Sequence, residues 1–434
     1  MADGPEWATG LYITDGSAAG TSLLLAQGVR SVTSSGGKVF FVSDKNGADQ
    51  MWVTDGTPAG TFVPREFEGT YGVGPVARYL NGVVFTQHFG PSGPIICFSD
   101  GTAAGTRTIG GSPEGYMHDA VEFKGRLYFG LNGGYYVGDE VHVATPTSVR
   151  IFRDTDFMAP GAQPTHLTAA DPYLYFAGSW IGIGRELWRS DGTAQGTVPF
   201  VDLIPGPASG NPFALTWINA RLWFAARRDG SDIDYFVTDG SAAGTVPVVT
   251  TDTPTDAPAA ILGLRAYRIA TRVDGRGVVW VSDGTVANTR RFAPTDGVPG
   301  FNATAVAAGA GRLIVTAVTP ETGQELWVWD PARGDVYLAP EPAPGVTSSK
   351  PSLVTGIAQR VYFAAISPDA GGELFVLDFC PADLDRDGSV GPADHALFLA
   401  LYESGDERAD IDGSGFVDHD DFDAFVSALE KGCG

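Results

Sequence analysis

Most of the chain is built from copies of one short stretch, which in its clearest form reads Arg185-Glu186-Leu187-Trp188-Arg189-Ser190-Asp191-Gly192-Thr193-Ala194-Gln195-Gly196-Thr197. Leu187 and Trp188 belong to a predicted strand, residues Asp191 to Gly196 supply a turn, and the apolar residues that follow begin the next strand. The turn has its own chemistry, because an Asp side chain accepts backbone N–H groups two residues on and Gly192 tolerates a positive φ. The stretch is therefore predicted to be a β-hairpin.

The same pattern recurs at a nearly constant interval. Its turn aspartates stand at seven legible positions, with one double interval among them: Asp15, Asp55, Asp100, Asp191, Asp239, Asp283 and Asp330. A decayed copy is predicted inside the double interval, at residues 135–139 followed by Val141-His142-Val143. Each unit also carries an upstream strand and an aromatic strand, which makes four antiparallel strands in about 45 residues. This period predicts the blades of a β-propeller.

The units add up to an all-β, eight-bladed β-propeller of four-stranded antiparallel blades over residues 7–378. Seven complete units fit between Arg30 and Pro340, and an eighth runs from Lys350 to Val376 without a closing strand. Residues 21–27 form a final strand with no unit before it, so the last blade is predicted to be closed by the N-terminal strand. A seven-bladed ring with an extra hairpin is the alternative.

The composition excludes several classes of protein. The 434 residues carry a net charge of −23, which argues against a nucleic-acid partner. No run of about 18 apolar residues occurs, so no membrane span is expected. The first residues lack a basic and apolar leader, which fits either a mature secreted form or a cytosolic protein. Cys97 lies in a strand copy and is predicted to be a buried core residue, whereas Cys380 and Cys433 bracket the last segment.

Residues 380–434 follow a different pattern, that of two calcium-binding loops. Carboxylates stand at loop positions 1, 3, 5 and 12 with Gly388 at position 6, which is the order that a calcium loop requires. The predicted ligands of the first loop are Asp383, Asp385, Asp387, Ser389 and Asp394. The order returns 27 residues later, and the predicted ligands of the second loop are Asp410, Asp412, Ser414, Phe416, Asp418 and Asp421. Two Ca²⁺ ions are expected, the second held more weakly because a serine replaces a carboxylate.

A predicted helix follows each loop, over residues 392–402 and 421–429, and neither loop has a helix before it. This arrangement differs from an EF-hand pair and resembles the GC-type dockerins (type I), which are duplicated loop–helix units that bind calcium and dock onto a cohesin module. The resemblance covers residues 380–434 and implies a cohesin-like partner for a secreted bacterial protein. Cys380 and the Gly432-Cys433 ending belong to the same resemblance, and the two cysteines are predicted to form a disulfide.

The hairpin stretch resembles the ELWxxDGT repeat of bacterial extracellular proteins. Residues 186–188 with residues 191–193 match it in full, whereas residues 325–327 and 373–375 match its first half only. The resemblance covers residues 7–378 and implies a propeller-like repeat without an established activity. It also implies an extracellular or cell-surface location.

Few residues of the predicted propeller are candidates for chemistry. The recurring Glu186, Glu325 and Glu373 are interpreted as structural, because a residue copied into several blades is more simply explained by folding. An irregular acidic loop is read either as a metal site or as a solvated turn, and its members are Asp229, Asp232 and Asp234. Four histidines share no metal-ligand spacing: His88, His118, His142 and His166.

Two function classes stay open at this point. The favoured one is a monomeric, extracellular, non-catalytic propeller that recognises a glycan or protein ligand and is attached to a cohesin-type partner through calcium-dependent contacts. The alternative is a carbohydrate-active enzyme, a polysaccharide hydrolase or lyase, with its site on a propeller face. No catalytic residue is assigned from the sequence.

A docking surface is predicted where the duplication in residues 380–434 fails. The first helix carries Leu397 and Leu401 on a second apolar face, and the second helix has Ala424 and Ala428 at the matching positions. Two extra leucines are unexpected on a solvated helix, so they are predicted to form an asymmetric ridge that binds the partner. Packing of these leucines inside the protein is the alternative.

Overall fold

The structure, a computed structural model, describes the chain except for residues 1–9, 15–19, 68–71, 90–93, 112–116, 133–137, 154–160, 230–231, 332–333, 344, 346–347, 358–359, 369–370, 381, 386–389, 407–408, 410, 412–416 and 432–434. Its fold is an eight-bladed β-propeller with four-stranded antiparallel blades, followed by a small helical region near the C-terminus. The eight-bladed prediction is confirmed. No helix among the described residues is long and apolar enough to cross a membrane.

The chain divides into two compact units, Met1–Pro247 and Val248–Gly434. The first unit opens with a two-stranded sheet and continues through five blades. The opening sheet and blade one comprise β1 (Leu11–Ile13), β2 (Ser22–Leu25), β3 (Val29–Ser35), β4 (Lys38–Lys45) and β5 (Ala48–Thr54). Blades two and three comprise β6 (Gly72–Tyr79), β7 (Gly82–His88), β8 (Pro94–Ser99), β9 (Arg107–Gly111), β10 (Met117–Phe123), β11 (Arg126–Asn132), β12 (Asp139–Thr145) and β13 (Ser148–Arg153). Blades four and five comprise β14 (Thr165–Ala170), β15 (Tyr173–Trp180), β16 (Gly184–Ser190), β17 (Val198–Val201), β18 (Phe213–Ile218), β19 (Arg221–Asp229), β20 (Asp232–Thr238) and β21 (Val246–Val248).

The second unit holds blades six to eight and both α-helices. Blade six comprises β22 (Thr253–Pro254), β23 (Ala260–Leu262), β24 (Arg265–Thr271), β25 (Gly277–Ser282) and β26 (Arg290–Arg291), with β22 and β23 both paired to β24. Blades seven and eight comprise β27 (Asn302–Gly309), β28 (Arg312–Thr319), β29 (Gly323–Asp330), β30 (Asp335–Leu338), β31 (Ser352–Ile357), β32 (Arg360–Ser367) and β33 (Gly371–Asp378). The helices are α1 (Pro392–Ser404) and α2 (His419–Lys431).

The hydrophobic core of the propeller consists of layers between neighbouring blades. One layer packs Leu187 of blade four against Leu222 and Phe224 of blade five, and all three side chains are buried. Within each unit, equivalent layers join the other successive blades, with large aromatic side chains in most of them. Alternating strands bury one face on each neighbouring blade, which is why the apolar runs of the repeat are nearly continuous.

The repeated turn closes itself with its own side chains, as its composition predicts. Asp191 Oδ1 accepts the backbone N–H of Thr193 at 2.8 Å and its hydroxyl at 2.7 Å. The Thr193 hydroxyl in turn accepts the N–H of Gly196 at 2.9 Å, and Gly192 lies at a φ of +92°. The same pattern recurs around Asp55, Asp100 and Asp239. The turn thus satisfies its buried and exposed polar groups locally.

Two details of the predicted repeat are corrected or left open. In blade three, the hairpin strand itself is β12, so Val141-His142-Val143 belong to that strand rather than to the one after the turn. The turn of this blade falls between Thr145 and Ser148, without the Asp-Gly pair. At the N-terminus β2 pairs with β1, and closure of the last blade by the N-terminal strand remains a prediction.

Candidate metal centre

Three carboxylates of the first predicted calcium loop lie close together. Oxygen atoms of Asp383, Asp385 and Asp394 lie within 4.8 Å of one another, although these residues are spread over twelve positions of the chain. Asp394 is buried, Asp383 is half-buried and Asp385 is exposed, so the group faces solvent on one side. This is the only such acidic or histidine-containing group found among the described residues.

Asp394 holds the loop together from the first turn of α1. Its Oδ1 accepts the backbone N–H groups of Leu384 (2.6 Å) and Asp385 (2.9 Å), and its Oδ2 accepts that of Gly391 (2.8 Å). Backbone donors thus draw both ends of the loop onto one side chain. Because a carboxylate has about four lone-pair directions, acceptor capacity remains for a cation.

The second loop repeats this closure 27 residues later. Asp421 Oδ1 accepts the N–H of Ile411 (2.7 Å), and its Oδ2 accepts the N–H of Asp418 (2.8 Å). These residues correspond in the 27-residue register to Asp394, Leu384 and Gly391. Like Asp394, Asp421 is buried. The duplication predicted from the sequence is therefore present in the hydrogen bonding as well as in the residue types.

The two loop–helix units pack against each other through equivalent residues. Phe398 of α1 and Phe425 of α2 are fully buried, with their ring centroids 4.4 Å apart and their planes inclined by 7°. The helices are slightly longer than predicted, at Pro392–Ser404 and His419–Lys431. Leu384 and Ile411, which donate to the two aspartates, lie in the same core. The core therefore holds both loops beside each other.

The predicted docking ridge is only partly on the surface. Leu401 is 6% exposed and belongs to the core between the helices, and Leu397 is half-buried at the edge of that core. For Leu401 the structure favours the packing alternative that the sequence left open. Leu397 alone stays available for a surface contact.

The remaining predicted ligands and cysteines are placed as follows. Asp387, Ser389, Asp410, Asp412, Ser414, Phe416 and Cys433 lie outside the described residues. Asp418 is exposed, and its Oδ1 accepts the N–H of Asp420 at 2.9 Å at the start of α2. Cys380 is disulfide-bonded, and Cys97 is a buried free thiol as predicted.

The described donor set fits calcium. All the converging ligand atoms are carboxylate oxygens, which hard cations such as Ca²⁺ prefer, and no sulfur or imidazole ligand takes part. One buried and two accessible carboxylates leave room for the further oxygen ligands that Ca²⁺ requires.

The irregular acidic loop of blade five already contains a cation of the protein. Arg228 contacts Asp229 (3.6 Å), Asp232 (3.3 Å) and the buried Asp234 (3.1 Å). One guanidinium thus offsets the charge of the β19–β20 hairpin. This pairing favours the turn interpretation over the metal site, and the sequence analysis missed Arg228.

His118 forms a charged cluster that sequence reasoning missed. Its Nε2 lies 3.1 Å from both carboxylate oxygens of Asp139, and its Nδ1 lies 3.6 Å from Asp119. The contacts with Asp119 and Asp139 raise the pKa of His118 to about 9. Because the two ring nitrogens face carboxylates on opposite sides, this arrangement is an ion-pair bridge rather than a metal site. Asp119 also accepts the N–H of His166 (3.1 Å), which joins blade three to blade four.

Comparisons with known proteins add the fold of the propeller and no family. No protein-family model matches the chain, and no curated protein matches it. The resemblances to the ELWxxDGT repeat and to dockerins therefore stay predictions.

Several solved structures are similar to the chain. A puromycin hydrolase shares 16% identity over 78% of this chain and 58% of that chain, with a TM-score of 0.43. A prolyl endopeptidase shares 12% identity over 80% of this chain and 54% of that chain, with a TM-score of 0.44. The β-propeller domain of the Trilobed protease from Pyrococcus furiosus shares 11% identity over 72% of this chain and 94% of that domain, with a TM-score of 0.39. The chain thus spans little more than half of the hydrolase and the endopeptidase.

These matches contradict the function that the sequence favoured. The similar propellers belong to a hydrolase and to peptidases rather than to non-catalytic scaffolds or to carbohydrate-active enzymes. At this level of similarity the matches concern the fold, and no activity is transferred from those proteins to this chain.

Proposed function

We propose that residues 380–434 form a calcium-binding domain that requires the ion for its stable fold. The observation that supports this proposal is the convergence of Asp383, Asp385 and Asp394 within 4.8 Å. These three side chains would hold the first ion, and the loop closed by Asp421 would hold the second. The bound ion would supply positive charge and fix the loop geometry.

The electrostatics of the loop support a stabilising role for the ion. At an effective dielectric constant of about 20, two unit charges roughly 4–5 Å apart repel each other by about 3–4 kcal/mol. Three neighbouring carboxylates therefore destabilise the folded loop unless a cation compensates them. A ligand that binds only the folded state at 100 times its Kd adds about 2.7 kcal/mol of stability.

For the partner of this domain we propose a cohesin-like protein module outside the cell. The two loop–helix units in one 27-residue register support this choice, together with Leu397, which stays half-buried at the edge of α1. The disulfide at Cys380 supports an oxidising, extracellular compartment.

The calcium proposal is tested by removing and restoring the ion. We expect chelator-treated full-length chain to lose the far-ultraviolet helical signal of α1 and α2 and to become sensitive to protease after residue 380, because the uncompensated carboxylates repel one another. Added Ca²⁺ should reverse both effects. Asp385→Ala should weaken calcium binding on the order of tenfold in calorimetry, because one anionic ligand is lost.

Asp423→Ala is the matched control, since Asp423 is an exposed carboxylate on α2 outside both loops. It should bind calcium like the wild type. A tail whose helical signal and protease resistance are the same with and without calcium would refute the proposal. Capture by a purified cohesin module, measured with and without chelator, tests the partner separately.

A further inference from the structure

Three blades carry a fully buried glutamate at the same place in the third strand. These residues are Glu140 of β12, Glu186 of β16 and Glu325 of β29, and each is 0–1% exposed. Each is the residue five positions before the turn position of its repeat. Only Glu186 and Glu325 stand out in the sequence, because the copy around Glu140 has lost the rest of the motif.

Each buried carboxylate binds the segment that leads to the next blade. Glu140 accepts the N–H of Ala162 (3.1 Å), and Glu186 accepts those of Leu203 (2.9 Å) and Gly210 (2.5 Å). Glu325 accepts the N–H of Ser349 (2.6 Å) and the Ser349 hydroxyl. The segments differ in sequence, so the carboxylate provides the constant part of the connection.

The same connecting residue then binds the second strand of the following blade. The carbonyl oxygens of Ala162, Gly210 and Ser349 each accept a backbone N–H at 2.7 Å, from Ser179 of β15, Arg227 of β19 and Ile366 of β32 respectively. A single residue thus bridges the third strand of one blade and the second strand of the next. We call this set of bonds an inter-blade latch.

Two of the latches carry a charge without a basic partner. Burial raises the pKa of Glu186 to about 7, against the lowering effect of the Gly210 and Leu203 N–H groups, and the nearby Asp202 carboxylate raises it further. Burial also raises the pKa of Glu325, and Glu341 is the neighbouring charge. The adjacent Arg185 points away, to Gln163 and Thr165 of the preceding connection.

Other blades contain the neutral and the compensated version of the same position. In blade one, Gln50 donates to the Phe67 carbonyl and accepts the Phe67 N–H, both at 3.2 Å. In blade five, Asp234 is paired with Arg228 at 3.1 Å. The protein therefore contains built-in references for a latch that does not change its charge near neutral pH.

We propose that the latches of Glu186 and Glu325 are pH-sensitive devices, which hold the connection between blades when protonated and release it when they ionise. The released side chain is hydrated and has the pKa of an ordinary glutamate, whereas the latched one is buried among neutral groups and Asp202 or Glu341. A group whose folded pKa is raised stabilises the folded state at low pH and loses that contribution as the pH rises through the folded value. Mild acid therefore keeps these segments closed, and neutral to alkaline solution opens them.

Hydrogen exchange measured by mass spectrometry from about pH 5 to about pH 9 tests the proposal. After correction for intrinsic exchange, the opening of residues 203–211 should increase about tenfold per pH unit up to the folded pKa near 7. The peptide that contains Phe67 should show no such increase, because Gln50 does not titrate. Equal opening at all pH values in residues 203–211 would overturn the proposal.

A second arm uses Glu325→Gln, whose amide nitrogen can donate to the Ser349 hydroxyl while its oxygen still accepts the Ser349 N–H. The pH dependence around Ser349 should disappear in this variant and remain around Gly210. Persistence of the dependence at Ser349 would assign it to another group and refute the latch. If the variant does not fold, the wild-type comparison of the Gly210 and Phe67 segments still decides the matter.

Discussion

At the scale of single residues, the turn of the repeat depends on a glycine for steric reasons rather than for backbone conformation. A Cβ added at Gly196 would lie 2.2 Å from the Asp191 carboxyl carbon. The positive φ of this turn belongs to Gly192 instead. Blade six shows how a side chain fits at the same position: Asn288 donates to Asp283 Oδ2 at 2.6 Å, and the bond from its N–H to Thr285 lengthens to 3.3 Å.

We expect Gly196→Ala to destabilise the propeller by about 1–3 kcal/mol, because Asp191 must give up its bonds to Thr193 to make room. Gly196→Asn should cost less, since its amide can bind Asp191 as Asn288 binds Asp283. Urea unfolding of the three proteins measures the difference. A larger loss for Gly196→Asn than for Gly196→Ala would contradict this account of the turn.

At the scale of elements, the C-terminal region depends on the pairing of two short helices. Neither α1 nor α2, of 13 residues each, is long enough to be stable as an isolated helix in water. The stacked Phe398 and Phe425 therefore supply much of the stabilisation, and they place the two loops side by side.

Phe398→Ala should destabilise this helical region by about 3–5 kcal/mol, because it leaves a cavity between the helices. Calcium affinity should fall with it, since the loops are held by the same core. Leu429→Ala is the control: Leu429 is 40% exposed, and its truncation should change stability by no more than about 0.5 kcal/mol. Circular dichroism during calcium titration reports both quantities. An unchanged midpoint for Phe398→Ala would show that the stack is not required.

At the scale of the whole molecule, the three cysteines divide between a core thiol and the C-terminal region. Burial raises the pKa of Cys97 to about 12, so its thiolate is not populated near neutral pH. Cys380 is disulfide-bonded, and its predicted partner is Cys433.

We expect native, non-reduced protein to resist alkylation at every cysteine, because Cys97 is protonated and enclosed by blades one and two. Denatured but non-reduced protein should take up one alkyl group, at Cys97. Peptide mapping by mass spectrometry identifies the site and the disulfide. Alkylation of Cys380 or Cys433 without reductant would rule out the predicted pairing.

The propeller, its eight blades and the duplicated loop–helix segment were predictable from the sequence, because they rest on local patterns that repeat. Strand alternation, the Asp-Gly-Thr turn and the 27-residue register of Asp394 and Asp421 are each complete within one repeat. The burial of Leu401, the pairing of Arg228 with Asp234 and the latches of Glu140 and Glu186 depended on the tertiary structure. A latch joins a strand to a residue 22 or 24 positions away and then to the next blade, across segments that share no pattern. Composition reveals such contacts only after packing has chosen which polar groups are buried together.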